Sequence, residues 1–460
     1  ILSFADLGIS TAIVYRFYEP ISQNDVHKVG QLMNFFKSVY RIIASVILVA
    51  GMSLLPFLNF FIKDTSELPL DVNLQLIYIL FLLQTLSSYL FVYKQTILSA
   101  DQKQYITSFI QTIITLMRYI LQVSILLLTR NYTWTLAASI ILNLTSNIAF
   151  SEWVGYKYRD VFSVKESISK VEKQQILDDT KATLCHKIGG TVLNSTDNII
   201  LSKCVGIVAT GLYSNYSMIL SSLSGVLNQV FGSFTSSLGN AHIKQNAEQK
   251  YMSYRRLLFA NLWITSICTV CLYNLLNDFI IVWVGTDMLL DELTVTVLCI
   301  QFFMETARII SLSYTNGCGL FVRDKIRPLI EAAINLVVSV VMANLLGVAG
   351  VFIGTIASHC CTVFWREPYL LYKYEFKKSI KEYWEYYGTA AILTLMMSFL
   401  IRKSMTNMVL LRVDNLLMWI FKAISVLVLS NAFLVILLHR NLDFKFFFCL
   451  IKRKFIKTEV

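Results

Sequence analysis

Charged residues are scarce in this chain of 460 residues, since only 15% are Asp, Glu, Lys or Arg while 56% are hydrophobic. Soluble domains average about 25% charged and 45–50% apolar residues. The apolar excess falls in runs of about 18 to 30 residues, each long enough to cross a hydrocarbon core of roughly 30 Å. An ordinary soluble domain is therefore excluded, and the sequence predicts a multi-pass membrane protein.

Paired metal or redox motifs are also lacking. Nine cysteines are present, and most lie inside apolar runs. Cys268 and Cys271 form a C-x-x-C without a second pair, and His359 beside Cys360 and Cys361 is equally isolated. We interpret these residues as ordinary small apolar or polar residues and predict no metal site. The sequence shows no basic segment followed by an apolar core and a cleavage site, so no signal peptide is predicted. The positions of its Gly and Pro residues mark no hinge.

The apolar runs predict about thirteen transmembrane helices, because an open backbone in lipid leaves its own hydrogen-bonding groups unsatisfied. The predicted spans are 3–18, 38–62, 74–98, 105–129, 132–153, 183–202, 209–238, 257–283, 293–317, 328–343, 349–372, 386–401 and 416–438. The loops on one side reach at most about a dozen residues, which argues against membrane glycosyltransferases and polymerases that need catalytic regions outside or re-entering the membrane.

Basic residues are distributed unequally between alternate loops. Most of them fall in loops 19–37, 94–104, 154–182, 239–256, 318–327 and 373–385 and in the tail 439–460. The opposite loops contain only Lys63, Arg130, Lys203, Arg402, Lys403 and Arg412. The positive-inside rule therefore makes the first set cytoplasmic. The net charge of +11 then predicts contact with anionic membrane lipid rather than nucleic acid.

This orientation predicts two lobes. Residue 1 falls on the outer side, so we expect one helix before Ile1 and fourteen in the full protein. We predict an N-lobe at 1–153 holding helices 2–6, a cytoplasmic inter-lobe loop at 154–182, a C-lobe at 183–372 holding helices 7–12, and two additional helices with a basic tail at 373–460. The predicted fold is an all-α bundle of two pseudo-symmetric six-helix lobes plus that pair. Transporters commonly bind their cargo between such repeats.

Two predicted helices carry charge at membrane depth. In 105–129, Gln111, Arg118 and Gln122 share one face with Thr115, and Arg118 lies too deep to reach the interface easily. Arg118 is interpreted as lining a cationic cavity or as half of a buried structural pair. In 293–317, Gln301, Glu305 and Arg308 share one face, and Glu305 and Arg308 are close enough in sequence to pair with each other. A structural ion pair and a cavity role stay open there.

Two further helices carry polar stripes. Asn194 and Asp197 lie one turn apart, and a carboxylate at that depth suits H⁺ or Na⁺ coupling as well as a packing hydrogen bond. Lys187, on the same helix, can reach a phosphate or extend to the interface. Ser214, Ser217, Ser221, Ser224 and Asn228 form a stripe that suits close helix packing or a wet cavity wall. Asp6 in the first span can cap a helix or join the ion-coupling set.

Several segments together resemble one family. They are Ser195–Lys203 (STDNIILSK), Gly211–Tyr216 (GLYSNY), Ser233–Asn240 (SFTSSLGN), Leu2–Ile9 (LSFADLGI) and Asn316–Phe321 (NGCGLF). They resemble Wzx-type O-antigen and capsule flippases, of the superfamily that includes MATE drug exporters and lipid II flippases. The resemblance covers essentially the whole chain, and its Thr-Asp-Asn and Gly-Leu-Tyr-Ser elements are its most specific part.

The resemblance implies a transporter and not an enzyme. Its cargo would be an undecaprenyl-pyrophosphate-linked oligosaccharide for O-antigen, lipopolysaccharide or capsule, flipped outward across a bacterial cytoplasmic membrane by alternating access. It implies H⁺ or Na⁺ as coupling ion, without another cofactor, and polysaccharide polymerase machinery as partner. Arg118 or Arg308 would neutralise the pyrophosphate, and Asp197 and Glu305 would sense the ion.

Three alternatives stay open. A MATE-like exporter of small cations needs an acidic cavity, which the deep arginines disfavour. A lipid II flippase fits fourteen helices equally well. A membrane-bound glycosyltransferase or polymerase belongs to another class, and the short outer loops disfavour it.

Overall fold

A computed structural model describes 17, 20–21, 23–58, 74–101, 103–169, 171–174, 196–234, 238, 246–318, 320–324, 326–406 and 415–456. Every regular element in these ranges is helical. The chain forms two compact units, Ile1–Ser195 and Thr196–Val460. The four-part division drawn from the loops stays a prediction.

The described residues of the first unit form four long helices. They are α1 (Val26–Leu54), α2 (Leu74–Val92), α3 (Gln104–Thr129) and α4 (Tyr132–Lys157). Short helical turns follow α1 at Leu55–Phe57, follow α2 at Tyr93–Gln95 and Thr96–Ala100, and follow α4 at Arg159–Ser163. Both α2 and α3 pack along α4, and α1 packs on α2. Buried aromatic residues, including Phe17, Phe36 and Tyr40, lie in the core of this unit.

The second unit contains nine numbered helices within its described residues. They are α5 (Ile207–Gly232), α6 (Ala247–Val284), α7 (Glu292–Ala307), α8 (Ile309–Gly317), α9 (Arg327–Cys361), α10 (Val363–Leu370), α11 (Lys381–Thr406), α12 (Leu416–Leu438) and α13 (Leu442–Ile456). Two π-helical segments, Leu201–Val205 and Leu371–Phe376, and two 3₁₀ turns, Thr286–Met288 and Leu320–Asp324, connect them.

Polar caps explain where several helices begin. Asn246 caps α6 in a reciprocal capping box with Gln249, and Asp25 accepts a hydrogen bond from the Lys28 amide at the start of α1. Both helices therefore begin ten or more residues before the apolar spans predicted at 257–283 and 38–62. Asp291 and Asn415 cap α7 and α12 in the same way.

Helix α9 reverses direction at Gly347, whose φ of 57° and ψ of −130° are not helical. The Ser339 hydroxyl donates to the Val351 carbonyl at 2.9 Å, and the Asn335 amide donates to the Thr355 hydroxyl at 2.9 Å. In a straight helix, residues 20 apart would lie about 30 Å from each other. The segment is therefore an antiparallel helical hairpin, as predicted from the separate spans 328–343 and 349–372.

The prediction of an all-α, polytopic membrane protein is confirmed. Within the described ranges, seven helical segments are long and apolar enough to cross a membrane: Val26–Phe57, Leu74–Phe91, Phe109–Thr129, Ala247–Val284, Glu292–Asn316, Arg327–Phe376 and Leu416–Leu438. The helices α4, α5 and α11, each of 26 residues, coincide with further predicted spans. The span predicted at 3–18, apart from residue 17, and the part of the span 183–202 up to residue 195 lie outside the described residues.

Candidate functional site

The deep arginine of the second unit is paired, but not with its predicted partner. Arg308 donates from Nε and Nη2 to the two carboxylate oxygens of Glu367, at 3.1 and 2.6 Å. Glu367 is only 1% exposed. Of the two alternatives left open for Arg308, the structure thus shows an ion pair, but its partner is Glu367 and not Glu305. Helix α7 ends at Ala307 and Arg308 occupies its C-cap, which directs the side chain toward α10 instead of back along α7.

A buried charge network surrounds this pair. Arg327 donates to Asp324 and Glu331, at 2.5 Å each, and its guanidinium lies 3.8 Å from Glu367. The imidazole of His359 lies 3.3 Å from Glu331. Each buried carboxylate thus faces at least one basic or imidazole side chain, which offsets the cost of removing it from water. This network stabilises the contact among α9, α10 and the end of α7.

Sequence reasoning missed Glu331 and Glu367. The spacing of Arg327 and Glu331, four residues apart at the start of a predicted helix, was an available signal for one ion pair. Glu367 has no such local signal, because its partner Arg308 is 59 residues away in sequence. Only the packing of α10 beside the end of α7 brings them together.

Glu305 makes a local contact rather than an ion pair. It accepts a hydrogen bond from Gln301 at 2.8 Å, one turn earlier on α7. The amide oxygen of that glutamine, Gln301 Oε1, is buried and has no partner among the described residues. The predicted face shared by Gln301 and Glu305 is thus present, and it leaves hydrogen-bonding capacity for a small polar ligand.

Asp197 lies beside the hairpin of α9. Its carboxylate is 3.3 and 3.5 Å from the hydroxyl of Thr355, which also accepts from Asn335 at 2.9 Å. Glu305 lies close enough to Asp197 for the two carboxylates to interact electrostatically. Within the described part of the chain, no lysine or arginine pairs with Asp197. A carboxylate, a hydroxyl and an amide N–H group therefore converge at this point, and no basic partner lies among the described residues.

The polar stripe of α3 lies on its half-buried side. Gln111 donates to the buried Gln95 at 3.4 Å, and Gln122 is half-buried. Arg118 has a buried Nε without a hydrogen-bond partner, and its guanidinium carbon lies 5.5 Å from the ring centre of Tyr119. No carboxylate in the described ranges lies within ion-pair distance of Arg118. The alternative of a structural ion pair therefore finds no partner there.

The remaining predicted residues divide into two groups. Asn228 is exposed on α5 and donates to the Ser224 carbonyl of its own helix at 2.9 Å, as Ser214 does to the Thr210 carbonyl at 2.8 Å. These groups are satisfied within α5, and they leave a polar face on its surface. Asp6 and Lys187 lie outside the described residues.

The described residues show neither a metal-ligand cluster nor a disulfide. They contain no group of three or more His, Cys, Asp or Glu side chains that could hold a metal ion. Their cysteines, including Cys268 and Cys271, are free thiols.

Solved transporters share the fold of this chain. The lipid II flippase MurJ in an inward closed conformation is 13% identical, with a TM-score of 0.65, and the match covers 95% of this chain and 98% of MurJ. An inward-facing multidrug resistance MATE family transporter of the MOP superfamily is 13% identical, with a TM-score of 0.63 and coverage of 80% and 88%. A MOP superfamily transporter from Pyrococcus furiosus is 13% identical, with a TM-score of 0.53 and coverage of 82% and 86%.

These likenesses establish the fold. The chain has the fold of MOP-superfamily transporters and of the lipid II flippase. No protein-family model matches the sequence, and none of the curated proteins matches it either. The expected multi-pass helical fold agrees with that of these neighbours.

Proposed function

We propose that this protein flips an undecaprenyl-pyrophosphate-linked oligosaccharide from the cytoplasmic to the outer face of a bacterial inner membrane, for O-antigen or capsule synthesis. The observation that carries the proposal is Arg118. It lies about 16 Å from the nearer end of α3, at a rise of about 1.5 Å per residue. Its Nε is buried, and the described residues supply no carboxylate to neutralise it.

An unpaired guanidinium at membrane depth suits an anionic cargo. Charge at this depth is costly unless it meets a partner or water. A pyrophosphate carries the opposite charge and accepts two parallel hydrogen bonds from one guanidinium. Its lipid tail stays in the bilayer while the sugars follow a polar path, for which Gln111, Gln122, Gln301 and Asn228 are candidate residues. Arg308, already bound to Glu367, is the weaker candidate for contact with the cargo.

Ion coupling belongs to the second unit in this proposal. Asp197 and Thr355 offer oxygen ligands to H⁺ or Na⁺, Asn335 orients the Thr355 hydroxyl by donating to it, and Glu305 offers a second carboxylate nearby. Asp6 and Lys187 stay candidates for the coupling and phosphate roles. The polysaccharide polymerase machinery is the proposed recipient of the flipped cargo.

The test is complementation of a flippase-null strain with a defined repeat unit. We expect Arg118→Ala to abolish surface polysaccharide at normal protein level, and Arg118→Lys to retain a small fraction, because Lys keeps the charge but not the two parallel hydrogen bonds. The matched control is Arg159→Ala, whose side chain is 81% exposed in the same unit. Wild-type polysaccharide in Arg118→Ala would remove this residue from the mechanism.

A second candidate function is export of a small organic cation, as in the MATE proteins. Asp197 favours it, because a carboxylate without a basic partner attracts cations. Drug susceptibility of an exporter-deficient strain separates the two functions. Cation export predicts resistance that Asp197→Asn removes and Arg118→Ala preserves, and flipping predicts no resistance from the wild-type protein.

A further inference from the structure

A pocket of about 430 Å³ opens at one end of the α9 hairpin. Its wall is formed by the turn Leu320–Asp324, the first residues of α9, the last residue of α9 and the first turn of α10. Three arginines line it, namely Arg323, Arg327 and Arg366. The volume falls in the range of about 300–1,000 Å³ that small-molecule sites occupy.

Arg366 has N–H donors that its contacts within the protein leave unused. Asp324 is 6% exposed and accepts from Arg327 at 2.5 Å and from Arg366 Nε at 3.2 Å, so it fixes the arginines side by side. Arg327 is also bound to Glu331. Arg366 uses only Nε in these bonds, which leaves its two terminal nitrogens available.

Arg323 is the most accessible of the three. It is exposed, and its guanidinium carbon lies 4.2 Å from the ring centre of Tyr374. No carboxylate in the described part of the chain lies within ion-pair distance of it. Stacking on the ring holds the side chain without using its N–H donors. Arg323 and Arg366 therefore present free guanidinium donors to the same pocket.

The charge of the surrounding network is positive. Its arginines are Arg308, Arg323, Arg327 and Arg366, and its carboxylates are Asp324, Glu331 and Glu367. One positive charge is in excess when all these groups are ionised. A monoanion bound at Arg323 and Arg366 balances this group of side chains.

Three large residues of the wall are apolar and exposed. Ile326 is 61% exposed, Ile330 is 50% exposed and Trp365 is 43% exposed. Free inorganic phosphate gains nothing from such a wall. A molecule with a phosphate and hydrocarbon chains gains from both parts, because apolar contact and charge-assisted hydrogen bonds are then made together.

The position along the chain fits the cytoplasmic membrane surface. The pocket includes part of loop 318–327, which the distribution of basic residues predicts to be cytoplasmic, and it continues into the apolar segment Arg327–Phe376. Tryptophan is enriched at the boundary between lipid and water. Basic pockets between helices on this side of a membrane bind anionic headgroups.

We propose that this pocket binds the phosphodiester headgroup of an anionic membrane phospholipid. Arg323 and Arg366 bind the phosphate, Asp324 orients Arg366, and Ile326, Ile330 and Trp365 contact the hydrocarbon chains. This lipid is separate from any transported cargo, so the proposal stands or falls independently of flipping.

The experiment titrates the full-length protein, purified in detergent and stripped of lipid, with defined lipids and measures bound lipid by native mass spectrometry. We expect phosphatidylglycerol to bind at least tenfold more tightly than phosphatidylcholine. The double variant Arg323→Ala/Arg366→Ala should lose about tenfold or more of that affinity, since each basic residue near an anionic surface contributes measurably. The control Arg159→Ala/Lys381→Ala removes two charges from side chains that are 81% and 82% exposed, and should bind as the wild-type protein does.

Three results would overturn the proposal. One is an equal loss of affinity in the control, which would show a diffuse charge effect. Another is equal binding of phosphatidylcholine. The third is displacement of phosphatidylglycerol by millimolar inorganic phosphate, which would indicate a site for a soluble anion. If the double variant fails to fold, the single variant Arg323→Ala tests the site, because the Arg323 side chain is exposed and forms no ion pair among the described residues. Unchanged phosphatidylglycerol binding in that variant would overturn the site.

Discussion

Arg308 and Glu367 form a bidentate ion pair whose carboxylate is 1% exposed. A buried pair of this kind adds little net stability relative to an apolar pair of the same volume, yet it is costly to break. The reason is that loss of one partner leaves the other charge buried and uncompensated. Arg308 is thus held in place by its ion pair, whereas the buried Nε of Arg118 has no hydrogen-bond partner among the described residues.

The first prediction concerns Glu367→Gln. We expect it to destabilise the protein by about 3 kcal/mol or more, since the Arg308 charge stays buried without its carboxylate. Thermal unfolding in detergent measures the change. The control is Glu385→Gln, because Glu385 is 64% exposed and lies 4.0 Å from Lys381; exposed pairs contribute about 0–1 kcal/mol. Equal melting temperatures for the two variants would contradict the assigned role of the pair.

The second prediction concerns the hairpin of α9. A Cβ on Gly354 would lie 2.1 Å from Ser339 Oγ and 2.5 Å from Ser339 N. Because a backbone atom cannot move aside as a side chain can, we expect Gly354→Ala to cost about 1–3 kcal/mol or more. Melting temperature and the yield of monomeric protein report the loss.

The matched control for the hairpin is Gly388→Ala in α11. No atom lies within 4 Å of the Cβ position of Gly388. Alanine stabilises a helix interior by about 0.5–1 kcal/mol relative to glycine, so this variant should melt slightly higher. A Gly354→Ala protein as stable as Gly388→Ala would disprove the tight approach of the two arms of the hairpin.

The sequence determines the helices of this fold more directly than it determines the site. Apolar runs place α3, α6 and α12 because each must match the thickness of the membrane. The hairpin turn at Gly347 was also predictable, since loop 344–348 separates two apolar runs. The observed helices begin earlier than predicted where a polar cap, such as Asn246, lies before the apolar part of the helix.

The partners of charged residues were predictable only where they are local. Gln301 and Glu305 are one turn apart, and their contact follows from helical spacing alone. Glu305 and Arg308, three residues apart, were also close enough in sequence to pair, but packing places Arg308 on Glu367. Glu367 approaches Arg308 because α10 lies beside the end of α7, and a single sequence contains no measure of that approach.

The third prediction concerns a polar cluster in the loops predicted to be cytoplasmic. Tyr158 donates to Asp101 at 2.6 Å, and Lys103 donates to the same carboxylate oxygen at 2.6 Å. Partial burial opposes ionisation of Asp101, but these two hydrogen bonds outweigh it and hold the pKa of Asp101 below its usual range. Burial, followed by the hydrogen bond to Asp101, raises the pKa of Tyr158 to about 12.

These shifts give the cluster a defined pH window. The contribution of Asp101 is present above its ordinary pKa of about 3.9 and is lost as pH falls through the lowered value. The contribution of Tyr158 is fully present below about pH 10 and is lost as pH rises from about 10 to 12.

Tyr158→Phe tests this window. We expect a loss of about 1 kcal/mol at pH 7, the typical net worth of one hydrogen bond, and a flatter decline in stability between about pH 10 and 12. Unfolding at a series of pH values measures both. The control is Tyr156→Phe, two residues earlier in the last turn of α4, because Tyr156 is 79% exposed. An unchanged alkaline profile in Tyr158→Phe would rule out its link to Asp101.

The fourth prediction concerns the coupling ion at Asp197. A ligand that binds only the folded state stabilises it by about 2.7 kcal/mol at one hundred times its Kd. If Na⁺ binds among Asp197, Thr355 and Asn335, Na⁺ should raise the melting temperature where K⁺ and choline do not. Asp197→Asn should abolish this rise, and Thr355→Val should weaken it, because valine keeps the shape of threonine without its oxygen.

The charge-matched control for Asp197 is Asp287→Asn, since Asp287 is exposed in the turn between α6 and α7. It should keep the full Na⁺ effect. Na⁺ could leave the melting temperature unchanged while mild acidification raises it only in proteins that keep Asp197. That result would identify H⁺ as the ion. If neither cation stabilises the wild-type protein, or if Asp197→Asn responds as the wild type does, Asp197 acts in helix packing through Thr355 and the coupling site lies elsewhere.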